Sequence, residues 1–345
     1  MVRGNAFRGR KAERTEAGGI RRLSGSAGTA IMKLAGKPAP RVPGYRSGYR
    51  LGGRSRKRRY MMIGAIIGDV AGSRFEWDNH KSKNFELFTP ACSLTDDSIL
   101  SLALARAVLE TKDNRDDLPS RAVFCMQKLG RQYPDAGFGE LFIRWLGEED
   151  PSPYQSYGNG SAMRVSPAAW AGSSLEEVLR LTDQITAVTH NHPEGMKGAE
   201  AVAAAIYLAR SGKKKEEIRD YITVHYDPLL FTIDELRPSY TFDATCRGSV
   251  PEALEAFFES SDFEDAVRTA VSLGGDSDTI AAMAGSVAEA YYGVPADLIR
   301  RTVPFLDHDL MAILLDFERM YPSKAMGDGS GESLTVYEVL RQCGM

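Results

Sequence analysis

At 345 residues, 43% of them hydrophobic and 26% charged, the chain is long enough to bury a large core and has the balance of an ordinary globular protein. No uninterrupted apolar run approaches the roughly 18 residues that cross a bilayer, because "LSLALARAVL" is broken by Arg106 and followed by Glu110; membrane insertion is not expected. The net charge of −3 is divided unevenly: residues 1–60 hold 17 Lys and Arg against Glu13 and Glu16, a balance of +15, and the remainder carries −18.

Residues 1–60, rich in Gly, Arg and Ser, hold little apolar material to offset ordering entropy and read as a disordered basic extension. Three readings stay open for it: a leader ahead of a natural start at Met61, a basic arm for nucleic acid or an anionic surface, and an organellar targeting segment. The four cysteines, Cys92, Cys125, Cys246 and Cys343, form no CxxC pair, and a reducing cytoplasmic setting suits them best.

From residue 61 to 345, alanine- and leucine-rich stretches with helical spacing alternate with short Gly, Pro, Asp and Ser punctuation, and sustained strand alternation is hard to find. The spacing predicts one nearly all-α domain. "DDSILSLALARAVLET" puts Ile99, Leu102, Leu104, Ala105 and Leu109 on one face, with Asp96 or Asp97 as its cap. Ser174 and Glu177 have capping-box spacing. Further helices are expected near 252–260, 262–273, 278–292, 296–302 and 307–319.

Several punctuation segments carry chemistry. "SLTDDSIL" (Thr95, Asp96, Asp97, Ser98) and "SLGGDSDTIAAMAG" (Asp276, Ser277, Asp278, Thr279) each place two carboxylates and hydroxyls at the threshold of an apolar helix. A cap needs one acid, and adjacent buried acids repel unless hydrogen bonds, a helix N-terminus or a cation compensates them. Oxygen donors without a Cys or His cluster suit Mg²⁺ or Mn²⁺ better than zinc, and two ions could share Asp278. "YQSYGNGSAMRVSP" offers Gly158, Gly160 and Ser161, which suit either a diphosphate or a plain helix-capping loop. Arg164 reads as a structural ion-pair former. "THNHPEG" brings His190 and His192 together, and capping is the stronger reading of that pair from residues alone. Cys246 lacks a local base and reads as a buried thiol, while Gly248 and Ser249 are candidates for the distal end of a substrate site. Trp77, Tyr154, Tyr157 and Phe242 are candidates for stacking on adenine, against core or rim packing.

"GAIIGDVAGSRFEW", "LTDDS", "GNGSAMRVSP", "THNHPEGMKGA" and "SLGGDSDTIAAMAG", in this order over residues 61 to about 320, together resemble the ADP-ribosylglycohydrolase family, of the dinitrogenase reductase-activating type. The resemblance implies a compact, orthogonal all-helical domain with a binuclear Mg²⁺ or Mn²⁺ centre. It implies Thr95, Asp96 and Asp97 as one ligand set and Asp276, Asp278 and Thr279 as the other. Glu76, Asp97, Asp276 and Asp278 are then the catalytic carboxylates, and Asn159, Gly160, Ser161, Met163 and His190 contact ADP-ribose. Ser98 and Ser277 stand where the family often has Thr, and "GSRFEW" departs from the usual lead-in to the glutamate. The implied activity is metal-dependent release of ADP-ribose from ADP-ribosylated acceptors, by a monomer; the rival is a non-catalytic ADP-ribose binder.

Overall fold

The computed structural model describes residues 62–321, 325–326 and 336–343. The basic stretch 1–60 lies outside the described residues. The architecture is all-α: α1 Ile63–Gly72, α2 Asp96–Glu110, α3 Leu118–Gln132, α4 Glu140–Gly147, α5 Ser166–Ala171, α6 Leu175–Thr186, α7 Pro193–Arg210 and α8 Lys215–His225. Then follow α9 Ile233–Leu236, α10 Cys246–Glu259, α11 Phe263–Val271, α12 Ser277–Tyr292, α13 Ala296–Thr302, α14 His308–Met320 and α15 Val336–Gln342. Strand among the described residues is confined to a two-residue parallel pairing, Val294 with Ala325 and Pro295 with Met326.

The central pair is α1 and α12. Every residue of α1, and Ser277–Glu289 of α12, is buried, which is how a helix small and apolar on all sides behaves. Gly64, Gly68 and Gly72 recur every fourth residue and therefore form one ridge. A methyl group on Gly64 would land on the Gly285 carbonyl, one on Gly68 on the Ala281 carbonyl, and one on Gly72 would lie 2.5 Å from the Asp278 Cα. The two backbones approach so closely only because those side chains are missing. The ridge ends at the N-terminus of α12, where Ser277 Oγ donates to the Gly72 carbonyl at 3.1 Å. Helices α7, α10 and α11 pack on the remaining faces of α12.

Local signals resolve in instructive ways. The cap of α2 is Thr95 rather than Asp96 or Asp97, which occupy the first turn. Ser174 caps α6 by accepting from Glu177 N–H, but the Glu177 carboxylate accepts Ser173 N–H at 2.7 Å, one residue beyond the N–H that a reciprocal box would use. Helix α10 starts at Cys246, not near 252: the Thr245 hydroxyl caps it, and Pro251 sits inside it. Pro251, the sixth residue of α10, lies in its second turn and removes one backbone hydrogen bond, and packing on α7, α11 and α12 outweighs that loss here.

Candidate active site

The two acidic knots meet. Thr95, at the N-cap of α2, accepts Asp97 N–H at 3.4 Å and donates its own Oγ–H to Asp69 Oδ1 at 2.8 Å. Asp69, on α1, also accepts Thr95 N–H and Ser98 N–H, both at 3.1 Å, and a short bond from Ser98 Oγ. A fully buried carboxylate on one helix thus caps the N-terminus of another. Burial raises its pKa to about 6, and the bonds from Ser98 and Thr95 work against that rise.

From the other side, Gly274 and Gly275 turn the chain into α12 with φ of +73° and +67°, a region that disfavours any side chain. Lys81 donates to the Leu273 carbonyl at 2.6 Å and Asn79 Oδ1 accepts Gly275 N–H at 3.0 Å, holding that turn. Asp276 occupies the N-cap position of α12 without spending its side chain on the cap. Its Oδ2 instead accepts from Asn159 Nδ2 at 2.7 Å. Thr279 Oγ1 donates across to Asp97 Oδ2 at 3.0 Å, which joins the two acidic turns directly.

Oxygens of Glu76, Asp276 and Asp278 all lie within 4.8 Å of one another. Glu76 is half-buried and receives a hydrogen bond from the Trp77 side chain; burial, then the Asp276 charge, pushes its pKa up to about 7. Asp278 and Asp97 are held well above the usual carboxylate range, first by burial and then by neighbouring carboxylates. Asp96, partly buried, shifts the same way, first through burial, with Arg164 opposing the shift. Asp97 Oδ1 is buried with no hydrogen-bond partner. Convergent oxygen donors, mutual repulsion and an orphaned carboxylate oxygen fit a hard divalent cation.

The glycine loop closes one side. Asn159 N–H donates to the Ala244 carbonyl at 2.8 Å, and Cys246 N–H to the Tyr157 carbonyl at 3.0 Å. Gly158 and Gly160 face the His190 ring, and Met163 is buried beneath. Ser161 Oγ turns inward, donating to the Gly195 carbonyl at 2.9 Å.

A family model described as ADP-ribosylglycohydrolase matches residues 53–322. The chain belongs to the ADP-ribosylglycohydrolase family. It is thereby placed among glycosidic-bond hydrolases. Among relatives, ADP-ribosylhydrolase ARH3 of Homo sapiens is 28% identical over 68% of this chain and 84% of that protein. ADP-ribosylarginine hydrolase Tri1 of Pseudomonas putida is 33% identical over 44% of this chain, and the alignment spans only 42% of that relative's length. A solved structure titled "ADP-ribosylglycohydrolase-related protein complex" superposes with a TM-score of 0.57 at 26% identity, covering 75% of this chain and 96% of that one.

Within this glycohydrolase fold the remaining candidates separate. His190 lies beside the glycine loop, while His192 is the N-cap of α7, accepting Glu194 N–H at 3.2 Å. Ser249 is buried and donates to the Thr245 carbonyl at 2.7 Å, a bond internal to α10; Gly248 packs on the Asp243 carboxylate. Burial pushes the Cys246 thiol up to about 12, as expected for an inert thiol. Trp77, 81% exposed, stacks on Phe242 at 5.0 Å, and exposed Tyr157 meets the His192 ring edge-on at 5.5 Å. Arg164 has no carboxylate within ion-pair distance among the described residues and bonds Thr189 Oγ1 at 2.6 Å instead. Asp69 is the site residue that sequence reasoning passed over; its only signal is a carboxylate inside the apolar run "IIGDVAG". No helix among the described residues is long and apolar enough to cross a membrane.

Proposed function

We propose that residues 61–345 form a catalytic domain that hydrolyses the C1″ glycosidic bond of ADP-ribosylated acceptors, a modified protein side chain above all, and releases ADP-ribose. The observation that carries this reading is the convergence of Glu76, Asp276 and Asp278 within 4.8 Å, with Asp97 tied to the same cluster through Thr279. Two Mg²⁺ or Mn²⁺ ions held by Thr95, Asp96, Asp97, Asp276, Asp278 and Thr279 would supply Lewis acidity toward a water and the substrate hydroxyls.

The chain's own groups do the rest. Asp69 fixes Thr95 and the first turn of α2, so that Asp96 and Asp97 face Asp276 and Asp278. Asn159 holds Asp276 in one rotamer through a 2.7 Å bond. Glu76, at the edge of the cluster with a carboxyl pKa raised to about 7, is placed to take the proton of the attacking water. Water oxygen bonds to C1″ as its proton passes to Glu76, the bond from C1″ to the acceptor breaks, and its electron pair leaves with the acceptor atom, which takes up that proton from Glu76. Asn159, Gly160, Ser161, Met163 and His190 form the wall beside which the diphosphate and its ribose would lie.

The test is a hydrolysis panel of ADP-ribosylated arginine, serine and nucleic acid with added Mg²⁺ or Mn²⁺. Release of ADP-ribose from at least one member is expected, with a drop of at least about a hundredfold for Asp278→Ala, on the scale of a lost electrostatic stabiliser. Full turnover by Asp278→Ala would overturn the mechanism. ADP-ribose binding without release from any member would favour a binding protein.

A further inference from the structure

Arg164 is a fully buried cation that the proposed chemistry does not use, and its surroundings decide the state of His190. The guanidinium donates to Thr189 Oγ1 at 2.6 Å and also faces His190 Nδ1 at 3.4 Å, while Thr189 Oγ1 lies 2.8 Å from that same nitrogen. A guanidinium has N–H donors and no acceptor. Thr189 Oγ1 can accept from Arg164 and pass its own proton either to Nδ1 at 2.8 Å or to the Thr186 carbonyl at the longer 3.4 Å. With a guanidinium N–H also facing Nδ1, an acceptor there satisfies both neighbours, and the single ring proton of a neutral imidazole then sits on Nε2.

Protonating the ring would place a second N–H at Nδ1, against the guanidinium. His190 is also 5% exposed. Burial first, then the Arg164 charge, holds its pKa well below the usual histidine value. The other groups around it add no compensating anion: Tyr154 lies 5.7 Å away with its phenol kept neutral by burial, and α7 presents Gly195. Nε2 points at the glycine loop, 3.6 Å from where a Gly158 Cβ would sit and 3.4 Å from that of Gly160.

We propose that Arg164 is a positioning residue that locks His190 as the neutral Nε2–H tautomer, aiming one uncharged donor at a phosphate oxygen lying over Gly158–Gly160. The division of labour is physical: Arg164 contributes fixed positive potential from behind, and His190 contributes a directional hydrogen bond whose charge does not change through the neutral range. The identity of the ligand as an ADP-ribosyl diphosphate rests on the function proposed above; the tautomer does not.

The experiment uses the full chain with ¹⁵N-labelled histidine. Its five rings are assigned by loss of one signal in His190→Phe. The wild type is expected to show His190 with a protonated Nε2 and no titration from pH 8 to 5.5. Arg164→Gln should raise the ring's pKa, with burial still holding it below the ordinary histidine value, and Arg164→Lys, again a donor-only cation, should restore the lock. With ADP-ribose as the probe, His190→Phe is expected to bind about tenfold more weakly, the scale of one hydrogen bond to a charged oxygen. An Nδ1–H tautomer in the wild type, or a ring titrating near 6.5, would overturn the lock even if the arginine variants did not fold. Unchanged ADP-ribose affinity in His190→Phe would overturn the donor role. Both readouts are independent of turnover, so a correct tautomer in an inactive protein would count against the hydrolase reading and leave this one intact.

Discussion

Four donors converge on Asp69, two of them backbone N–H groups at the start of a helix that begins 27 residues further on, and this makes a single carboxylate responsible for the geometry of the first acidic turn. Removing it in Asp69→Ala would orphan Thr95 N–H and Ser98 N–H in a buried place. The expected loss is about 1–3 kcal/mol in a urea melt, with turnover falling far more than stability would explain because Asp96 and Asp97 lose their anchor. Normal stability and normal turnover in this variant would show that Thr95 caps α2 unaided. The carboxylates of "TDDS" and "GGDSDT" were legible because doublets at helix thresholds exceed what capping needs. Asp69 was not legible: a lone Asp in an apolar helix looks like an interruption, and its partners are supplied by tertiary contact. Arg164 likewise looked like an ion-pair former, since nothing local marks a cation that pairs with a threonine and a histidine.

At the scale of elements, the site is as rigid as the contact between α1 and α12. Alanine at an exposed helical glycine gains up to about 1 kcal/mol from propensity, but at Gly68 the added methyl would collide with the Ala281 carbonyl. Gly68→Ala is therefore expected to destabilise by about 2–3 kcal/mol or more, as overpacking against backbone does. Because the same ridge ends beside Asp278, separation of the helices should also weaken Mg²⁺ binding. Gly147→Ala, where nothing lies within 4 Å of the new methyl, is the control and should be neutral or more stable by up to about 1 kcal/mol. Equal melting of the two variants would refute the interlock. Helix existence was readable along most of this region, including α11 to α14 within one or two residues. The start of α10 was not, because Pro251 reads as a boundary while the true cap, Thr245, is fixed by pairing of its loop with Gly158. Hydrophobic periodicity also could not say that α12 is central, since a helix buried all round has no polar face to orient it.

Across the molecule, buried carboxyls should make stability fall as pH rises, and added Mg²⁺ should cancel only part of that fall. Asp97, Asp276 and Asp278 have folded-state pKa values above their unfolded ones, chiefly through burial. Glu289 lies outside the cluster, accepting Gly64 N–H at 2.7 Å at the start of α1, and burial raises it from 4.5 to about 8. An acid raised in the folded state contributes stability that is complete below its unfolded pKa and disappears as pH climbs through the folded one. For Glu289 that window is pH 4.5 to about 8, worth a few kcal/mol at about 1.36 kcal/mol per pKa unit. In EDTA, the melting temperature should therefore fall steadily from pH 5 to pH 8. Saturating Mg²⁺, bound to the ionised cluster as proposed, should flatten the fall, leaving a residual slope that Glu289 shares with Glu200 and Glu252, each raised to about 7 by burial. Glu289→Gln keeps an oxygen for Gly64 N–H while removing the charge, so it should reduce the residual slope in Mg²⁺ and leave the metal-sensitive part in EDTA. A slope in EDTA that Mg²⁺ does not change would mean the cluster holds no ion in the folded protein; a slope in Mg²⁺ that Glu289→Gln does not reduce would place all of that proton linkage on the other buried acids, Glu200 and Glu252.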